Sequence, residues 1–182
     1  KAGMTSFACR AYRQFRDTGR VRIFRSDRPD IADGEQRRDF VYVRDCVEVV
    51  WWLLQRPDVV GLFNVGTGAA RSWNAVARAV AAAMGVEPLV EYVEMPSALR
   101  GAYQYFTQAE MEKLCAAGYP HPFSELDAAA ADYVGNYLSQ PDPHLVASHD
   151  GGLTFGKPVR LLPPPDKRVW FAEGGVVAPD GT

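Results

Sequence analysis

Long apolar runs, paired cysteines and a signal-peptide pattern are all lacking from this sequence of 182 residues. A membrane-spanning helix needs about 20 consecutive apolar residues. The apolar stretch Val47–Leu54 is far shorter, and we expect it to form a buried helix. The three cysteines are widely spaced and form no Cys-x-x-Cys motif, which fits a reducing compartment. These features predict a cytoplasmic globular protein that does not associate with membranes.

Motifs of several catalytic classes are also lacking. The sequence contains no Gly-x-Ser-x-Gly and no Tyr-x-x-x-Lys. Gly66–Gly68 stands where a dinucleotide-binding loop would stand, between a predicted strand and a predicted helix. Arg71 occupies the position of the third glycine, however, so we interpret the segment as a tight turn. His144 and His149 lie in a segment rich in Pro and Gly that does not fix their geometry, and we predict no metal site.

Charge is unevenly distributed along the chain. The formal net charge is −2, but residues 1–38 carry +5 and the remaining residues carry −7. A basic segment suggests an anionic partner such as a phosphate group or a nucleic acid, although a solvated helix face also explains it. Acidic residues are interleaved with the basic ones, and no nucleic-acid-recognition motif occurs, so we do not predict nucleic-acid binding.

Strand-like and helical stretches alternate between residues 20 and 95, which predicts an α/β architecture. Apolar periodicity predicts helices and strands in the following order: a helix at Met4–Gly19, a strand at Val21–Phe24, a helix from Asp45 to about Arg56, a strand at Leu62–Gly68, a helix from Ser72 to Gly85, a strand at Leu89–Pro96, and helices at Gln108–Gly118 and Phe123–Leu138. Asp45 with Glu48, and Thr107 with Glu110, have the spacing of capping boxes.

Two segments carry residues that could bind a phosphate or a nucleoside. At RRDFVYVRD, which begins at Arg37, a guanidinium could bind two phosphate oxygens, or it could pair with Asp39 or Asp45. Three aromatic residues further along could stack on a base or a sugar, or could fill the core: Tyr103, Tyr105 and Phe106. The residues alone leave both pairs of alternatives open.

Five stretches together resemble one family. In chain order they are KAGM, VRIF, GEQRRDFVYVRD, LFNVGTGAARSW and LRGAYQYFTQAEMEKLCAAGYPHPF. From Lys1 to about Ser139, the sequence resembles the C-terminal half of the ADP-L-glycero-D-manno-heptose 6-epimerases, which are extended short-chain dehydrogenases/reductases. Many extended members share NVGTG and RDFVYV. The narrower group is marked by segments similar to AYQYFTQAEM followed by AAGY.

The resemblance implies a fold and a reaction. The fold is the C-terminal substrate-binding half of an extended Rossmann-type short-chain dehydrogenase/reductase over residues 1–140. The resemblance does not cover residues 141–182, which by their Pro/Gly-rich composition form an irregular extension of unknown role. The family inverts one stereocentre of an ADP-heptose, because a tightly held NADP removes a hydride and returns it to the other face. Two acid/base groups serve the two faces: the Tyr of Tyr-x-x-x-Lys and a later Lys. The intact enzymes are homo-oligomers.

The resemblance also implies site residues. Lys1 falls on the second acid/base group, which lies beside the cofactor. The substrate-binding positions of the family fall on Gly3, Arg10, Phe24, Arg25, Ser26, Asp27, Arg38 and Tyr103. Arg38 falls on the arginine that holds the ADP diphosphate, which would explain the basic segment. Gly3 replaces a serine and loses its side-chain contact, whereas Arg10 replaces a histidine and could still reach a phosphate.

In the family, the NADP-binding loop and Tyr-x-x-x-Lys precede KAGM, so we expect neither in this chain. The first hypothesis is therefore a heptose-epimerase fragment that is inactive alone. The alternatives are a stand-alone nucleotide-sugar-binding module, or another nucleotide-sugar epimerase or dehydratase of the extended family. Half of such a fold should expose apolar surface and be marginally stable.

Overall fold

The computed structural model describes residues 5–139 in full and the backbone of residues 144–145 and 159–160. The chain divides into two compact units, Lys1–Ser139 and Gln140–Thr182. In the second unit, strands β5 (His144–Leu145) and β6 (Val159–Arg160) form an antiparallel pair. The rest of the extension predicted over residues 141–182 lies outside the described residues.

The first unit has α/β architecture. Its helices are α1 (Phe7–Thr18), α2 (Val43–Leu54), α3 (Trp73–Met84), α4 (Glu112–Ala116) and α5 (Leu126–Tyr133), with a 3₁₀ turn at Ser97–Leu99 and a π-helical turn at Val134–Leu138. Its strands are β1 (Val21–Phe24), β2 (Arg37–Arg38), β3 (Arg71–Ser72) and β4 (Val90–Val93). Strands β1 and β4 are parallel, with Val21 opposite Val90, whereas β2 and β3 are antiparallel.

The core lies between α1, α3 and the β1–β4 pair. Ala11 on α1, Val21 on β1, and Ala77 and Val80 on α3 are completely buried. Small residues along α3 let α1 and α5 approach it closely, because an alanine face adds little width to a helix. Burial of this continuous apolar face stabilises the first unit.

The ends of α1 and α3 follow the sequence. Ser72 Oγ accepts a hydrogen bond from the Ala75 amide at 3.2 Å, so Ser72 caps α3 as predicted. Gly19 and Gly85 terminate α1 and α3 with φ of +70° and +67°, in the left-handed region that glycine adopts without strain. The predicted strands at β1 and β4 are also confirmed.

Helix α2 corrects two predictions. It begins at Val43 after Tyr42, so Asp45 is not its N-cap, and the predicted capping box with Glu48 is wrong. Asp45 is buried instead and accepts hydrogen bonds from the Ser124 amide and hydroxyl at 2.9 and 2.7 Å. The prediction of a buried helix is also wrong, because most of its large apolar residues are exposed: Val43, Val47, Val50, Trp51 and Leu54.

Two further predicted elements differ. The strand predicted at Leu62–Gly68 does not form: Leu62 is 85% exposed, and in the described part of the chain this segment pairs with no strand. The helix predicted from Gln108 begins only at Glu112. Thr107 does not cap it, because the Thr107 amide donates to the Arg37 carbonyl and holds this part of the chain extended. Among the described helices, none is long and apolar enough to cross a membrane.

Candidate functional site

Hydrogen bonds bring three separate segments together: the end of β1, strand β2 and the loop before α4. The Arg37 amide on β2 donates to the Tyr105 carbonyl at 2.8 Å, and the Thr107 amide donates to the Arg37 carbonyl at 3.2 Å. Strand β2 also pairs with β3, with Arg37 opposite Ser72. Each of the three segments carries residues that the sequence assigned to substrate binding.

Phe24, Arg38 and Tyr103 meet at this junction. The Phe24 and Tyr103 rings are arranged edge to face, with centroids 6.5 Å apart. The Arg38 guanidinium carbon lies 5.3 Å from the centroid of the Tyr103 ring, which is cation–π contact distance. All three side chains are half-buried. The structure therefore brings together three of the predicted substrate-binding residues from three distant parts of the sequence.

Arg10 reaches the same face from α1. Its guanidinium carbon lies 5.3 Å from the centroid of the Phe7 ring, and the Phe7 ring packs edge to face on Trp73 at 4.8 Å. Burial raises the pKa of Tyr103, and the positive charges of Arg38 and Arg10 and a contact from the Trp73 indole act in the opposite direction. Both guanidiniums therefore lie close enough to the Tyr103 hydroxyl to influence it.

Acidic neighbours divide the arginines of this region into two kinds. Arg25 pairs with Asp33 at 3.2 Å and with Glu94 at 3.6 Å. Arg28 pairs with Asp30. Arg10 and Arg38 form no ion pair with any carboxylate of residues 5–139. Arg37 also forms no such ion pair, but Arg10 and Arg38 are the unpaired arginines whose charges act on Tyr103, and together they supply the positive charge that an anion-binding site requires.

The backbone that follows β1 is held by buried polar side chains. Gln36 is completely buried, and its Nε2 donates to the Phe24 and Arg25 carbonyls, both at 3.3 Å. Asp33 Oδ1 accepts from the Ser26 amide at 2.8 Å. Neither Gln36 nor Asp33 was identified from the sequence, because both lie in a polar loop that carries no periodic signal.

The hydrogen-bond partners of Asp39 decide whether this carboxylate pairs with a neighbouring arginine, an alternative that the sequence left open. Its carboxylate pairs with no arginine of the described residues and instead accepts hydrogen bonds from the amides of Thr67, Gly68 and Ala109 at 2.8, 2.9 and 3.0 Å. Burial alone would raise the pKa of Asp39, but these bonds and one from the Thr67 hydroxyl outweigh it and lower the pKa.

The Gly66–Gly68 segment is a tight turn, as predicted. Gly68 has φ of +71°. A Cβ atom at Gly66 would lie 2.5 Å from the Ala109 side chain and 2.6 Å from Asp39 Oδ2, so no larger residue fits there without a shift. The Thr67 and Gly68 amides already donate to Asp39, and they are not available to a phosphate.

The other predicted residues have separate outcomes. Ser26 is half-buried, and its hydroxyl donates to the Arg28 carbonyl at 3.1 Å. Asp27 is exposed, and its amide donates to the Tyr105 hydroxyl at 3.0 Å. Lys1 and Gly3 lie outside the described residues. Among the described residues, no group of three or more His, Cys, Asp or Glu side chains is arranged to hold a metal ion.

Two sequence comparisons relate this chain to known epimerases. Residues 1–66 match the sequence model of the NAD dependent epimerase/dehydratase family. Over 145 residues, or 80% of the chain, the sequence is 56% identical to the ADP-L-glycero-D-manno-heptose-6-epimerase of Nitratidesulfovibrio vulgaris, of which it covers 45%. The predicted resemblance to the heptose epimerases is confirmed. The chain spans about half the length of the curated heptose-epimerase relatives it matches.

Solved structures support the fold. The Helicobacter pylori ADP-L-glycero-D-manno-heptose-6-epimerase aligns with a TM-score of 0.59 and 24% identity, over 74% of this chain and 38% of that one. The UDP-glucose 4-epimerase of Thermus thermophilus, solved in complex with NAD, aligns with a TM-score of 0.52 and 27% identity, over 69% and 36%. The chain therefore has the α/β fold of the extended short-chain dehydrogenases/reductases.

Proposed function

We propose that this chain is the substrate-binding part of an ADP-glycero-manno-heptose 6-epimerase and that it binds the diphosphate of an ADP-sugar. The observation that carries the proposal is the pair of arginines beside Tyr103. Arg38 and Arg10 have no acidic partner among the described residues, whereas the nearby Arg25 and Arg28 are both neutralised. The 56% identity to a heptose epimerase supports an ADP-sugar as the ligand.

Each residue has a proposed role in binding. The Arg38 guanidinium donates two hydrogen bonds to diphosphate oxygens, since its fork matches that geometry. Arg10 adds positive charge at the same anion. The Tyr103 hydroxyl donates to a sugar oxygen, and burial raises its pKa above the ordinary value. Phe24 packs against the apolar side of the sugar, and Gly3 together with residues 25–27 completes the substrate surface.

Epimerisation needs more than this binding surface. Within the described residues, the Gly66–Gly68 turn does not fit a dinucleotide phosphate, because Asp39 occupies its amides. We therefore propose that any NADP-dependent chemistry relies on protein outside the described residues, with Lys1 as the second acid/base group. The described part alone then binds the nucleotide sugar without turning it over.

Calorimetric titration with ADP-glucose, ADP and UDP-glucose tests the binding proposal. We expect saturable binding of the ADP compounds and weaker binding of UDP-glucose. Arg38→Ala should weaken ADP binding by about 10- to 100-fold, because a hydrogen bond to a charged group contributes about 1.5–3 kcal/mol. Arg37→Ala is the matched control: it removes the adjacent, exposed arginine of the same strand and should change affinity little.

The outcomes separate the alternatives. A folded chain that binds none of the three ligands would refute the proposal. Preference for UDP-glucose would favour another nucleotide-sugar epimerase or dehydratase. Turnover of ADP-heptose by the purified chain with added NADP would show that the chain is not limited to binding.

A further inference from the structure

Tyr105 contacts each of the three segments that form the candidate site. Its carbonyl accepts from the Arg37 amide of β2 at 2.8 Å. Its hydroxyl accepts from the Asp27 amide beyond the end of β1 at 3.0 Å. Its ring packs edge to face on Tyr103, with centroids 5.4 Å apart and planes at 77°. One side chain and its own carbonyl therefore connect elements that are up to 78 residues apart in sequence.

Arg28, in the segment that follows β1, contacts the face of the Tyr105 ring. Its guanidinium carbon lies 5.3 Å from the centroid of the Tyr105 ring, and its Nε and Nη2 donate hydrogen bonds to the Asp30 carboxylate. A cation over an aromatic face contributes about 0.5–1 kcal/mol at an exposed site. Residues 27–30 are thus fastened to Tyr105 by the hydroxyl and by the ring face.

The position of Tyr105 complements the other supports of this segment. Gln36 holds the backbone at Phe24 and Arg25, and Asp33 holds it at Ser26. Tyr105 holds the next amide, that of Asp27. Residues 24–27 are therefore hydrogen-bonded at four successive positions.

We infer that Tyr105 is a positioning residue, which fixes the segment at Asp27 and thereby the width of the sugar-binding side of the site. The part of this inference that concerns ligands rests on the proposed function. The Tyr105 hydroxyl accepts from the Asp27 amide, and through this bond it acts on the backbone of the segment. Its loss should affect the sugar moiety more than the diphosphate, which Arg38 holds independently.

Tyr105→Phe tests this inference with two measurements. Amide exchange followed by NMR should show exchange at Asp27 at least several-fold faster than in the unmutated chain, because the acceptor of that amide is lost. Titration should show about 3- to 10-fold weaker binding of ADP-glucose with ADP affinity unchanged, as loss of one neutral hydrogen bond predicts. Arg28→Ala should change both in the same direction by less, and serves if the first variant does not fold.

Tyr119→Phe is the matched control, because Tyr119 packs on Trp52 and His121 and lies at none of the three segments. Unchanged exchange at Asp27 in Tyr105→Phe would overturn the inference. Faster exchange with an unchanged ratio of ADP-glucose to ADP affinity would overturn it as well. If the unmutated chain bound no nucleotide, the proposed function would fail instead, and the exchange at Asp27 alone would decide whether Tyr105 positions the segment.

Discussion

Helices α2 and α3 have the same length and a similarly apolar composition, but they are held in opposite ways. Helix α3 packs against α1 and α5, and Ala77, Val80 and Ala81 are completely buried. Helix α2 buries only Asp45 and Val49, while Trp51 and Leu54 among others remain exposed. The expected exposure of apolar surface is therefore found at α2.

Polar contacts near its N-terminus attach α2 to the rest of the unit. Asp45 accepts two hydrogen bonds from Ser124. Arg44 pairs with Asp132 at 3.4 Å, and Tyr42 donates a hydrogen bond to the same carboxylate. Apolar burial provides most of the stability of a domain, whereas polar contacts contribute about 1 kcal/mol each. The comparison indicates that apolar character shows what can be buried, while the neighbours of a helix decide what is buried.

Truncation of one valine in each helix is the strongest test of this difference. Val80 on α3 is completely buried, whereas Val50 on α2 is 56% exposed. Val80→Ala should lower the free energy of unfolding by about 2 kcal/mol through lost burial and a residual cavity. Val50→Ala should change it by less than about 0.5 kcal/mol. Urea denaturation monitored by circular dichroism measures both, and equal effects would contradict the comparison.

Much of the packed part of the fold could be predicted from sequence. Ser72 and Gly85 delimit α3, and the apolar stretches of β1 and β4 have the expected positions, because local capping and periodicity determine these features. The strand predicted at Leu62–Gly68 did not form, since a strand also needs a partner edge to pair with. Non-local pairing of this kind has no signal within a single stretch.

The candidate site also depends on non-local pairing that no single stretch of sequence reveals. Arg38, Phe24 and Tyr103 were predicted as substrate-binding residues by resemblance. Their convergence, however, depends on the pairing of β2 with the loop before α4, which joins residues far apart in sequence. The supporting roles of Gln36 and Tyr105 could not be found in the same way, because a buried amide or a structural hydroxyl is defined by its neighbours.

Removal of the buried anchor of α2 is expected to have an effect of similar size. Asp45→Ala should destabilise the unit by about 2 kcal/mol and speed amide exchange along α2, because the Ser124 amide and hydroxyl lose their acceptor. Glu48→Ala is the matched control: Glu48 is exposed on the same helix and would matter only if the predicted capping box existed. A larger effect of Glu48→Ala than of Asp45→Ala, in thermal unfolding or in exchange, would restore the capping interpretation.

Acid should loosen α2 before α3, and this is the smallest effect that we expect. Hydrogen bonds from Tyr42 and Asn136 and the charge of Arg44 lower the pKa of Asp132. A carboxylate with a lowered folded-state pKa stabilises the fold at pH above its unfolded value of about 3.9 and loses that contribution as pH falls through the folded value.

Amide protection at the start of α2, relative to that of α3 in the same sample, should therefore decrease between pH 6 and pH values below about 4. Asp132→Asn should reduce this dependence, because the asparagine does not titrate in this range. The α3 amides correct for the intrinsic effect of pH on exchange and for other titrating carboxylates that act on the whole unit, Asp39 included. If the relative protection of the two helices stayed constant with pH, the polar contacts at Asp132 would not be what attaches α2.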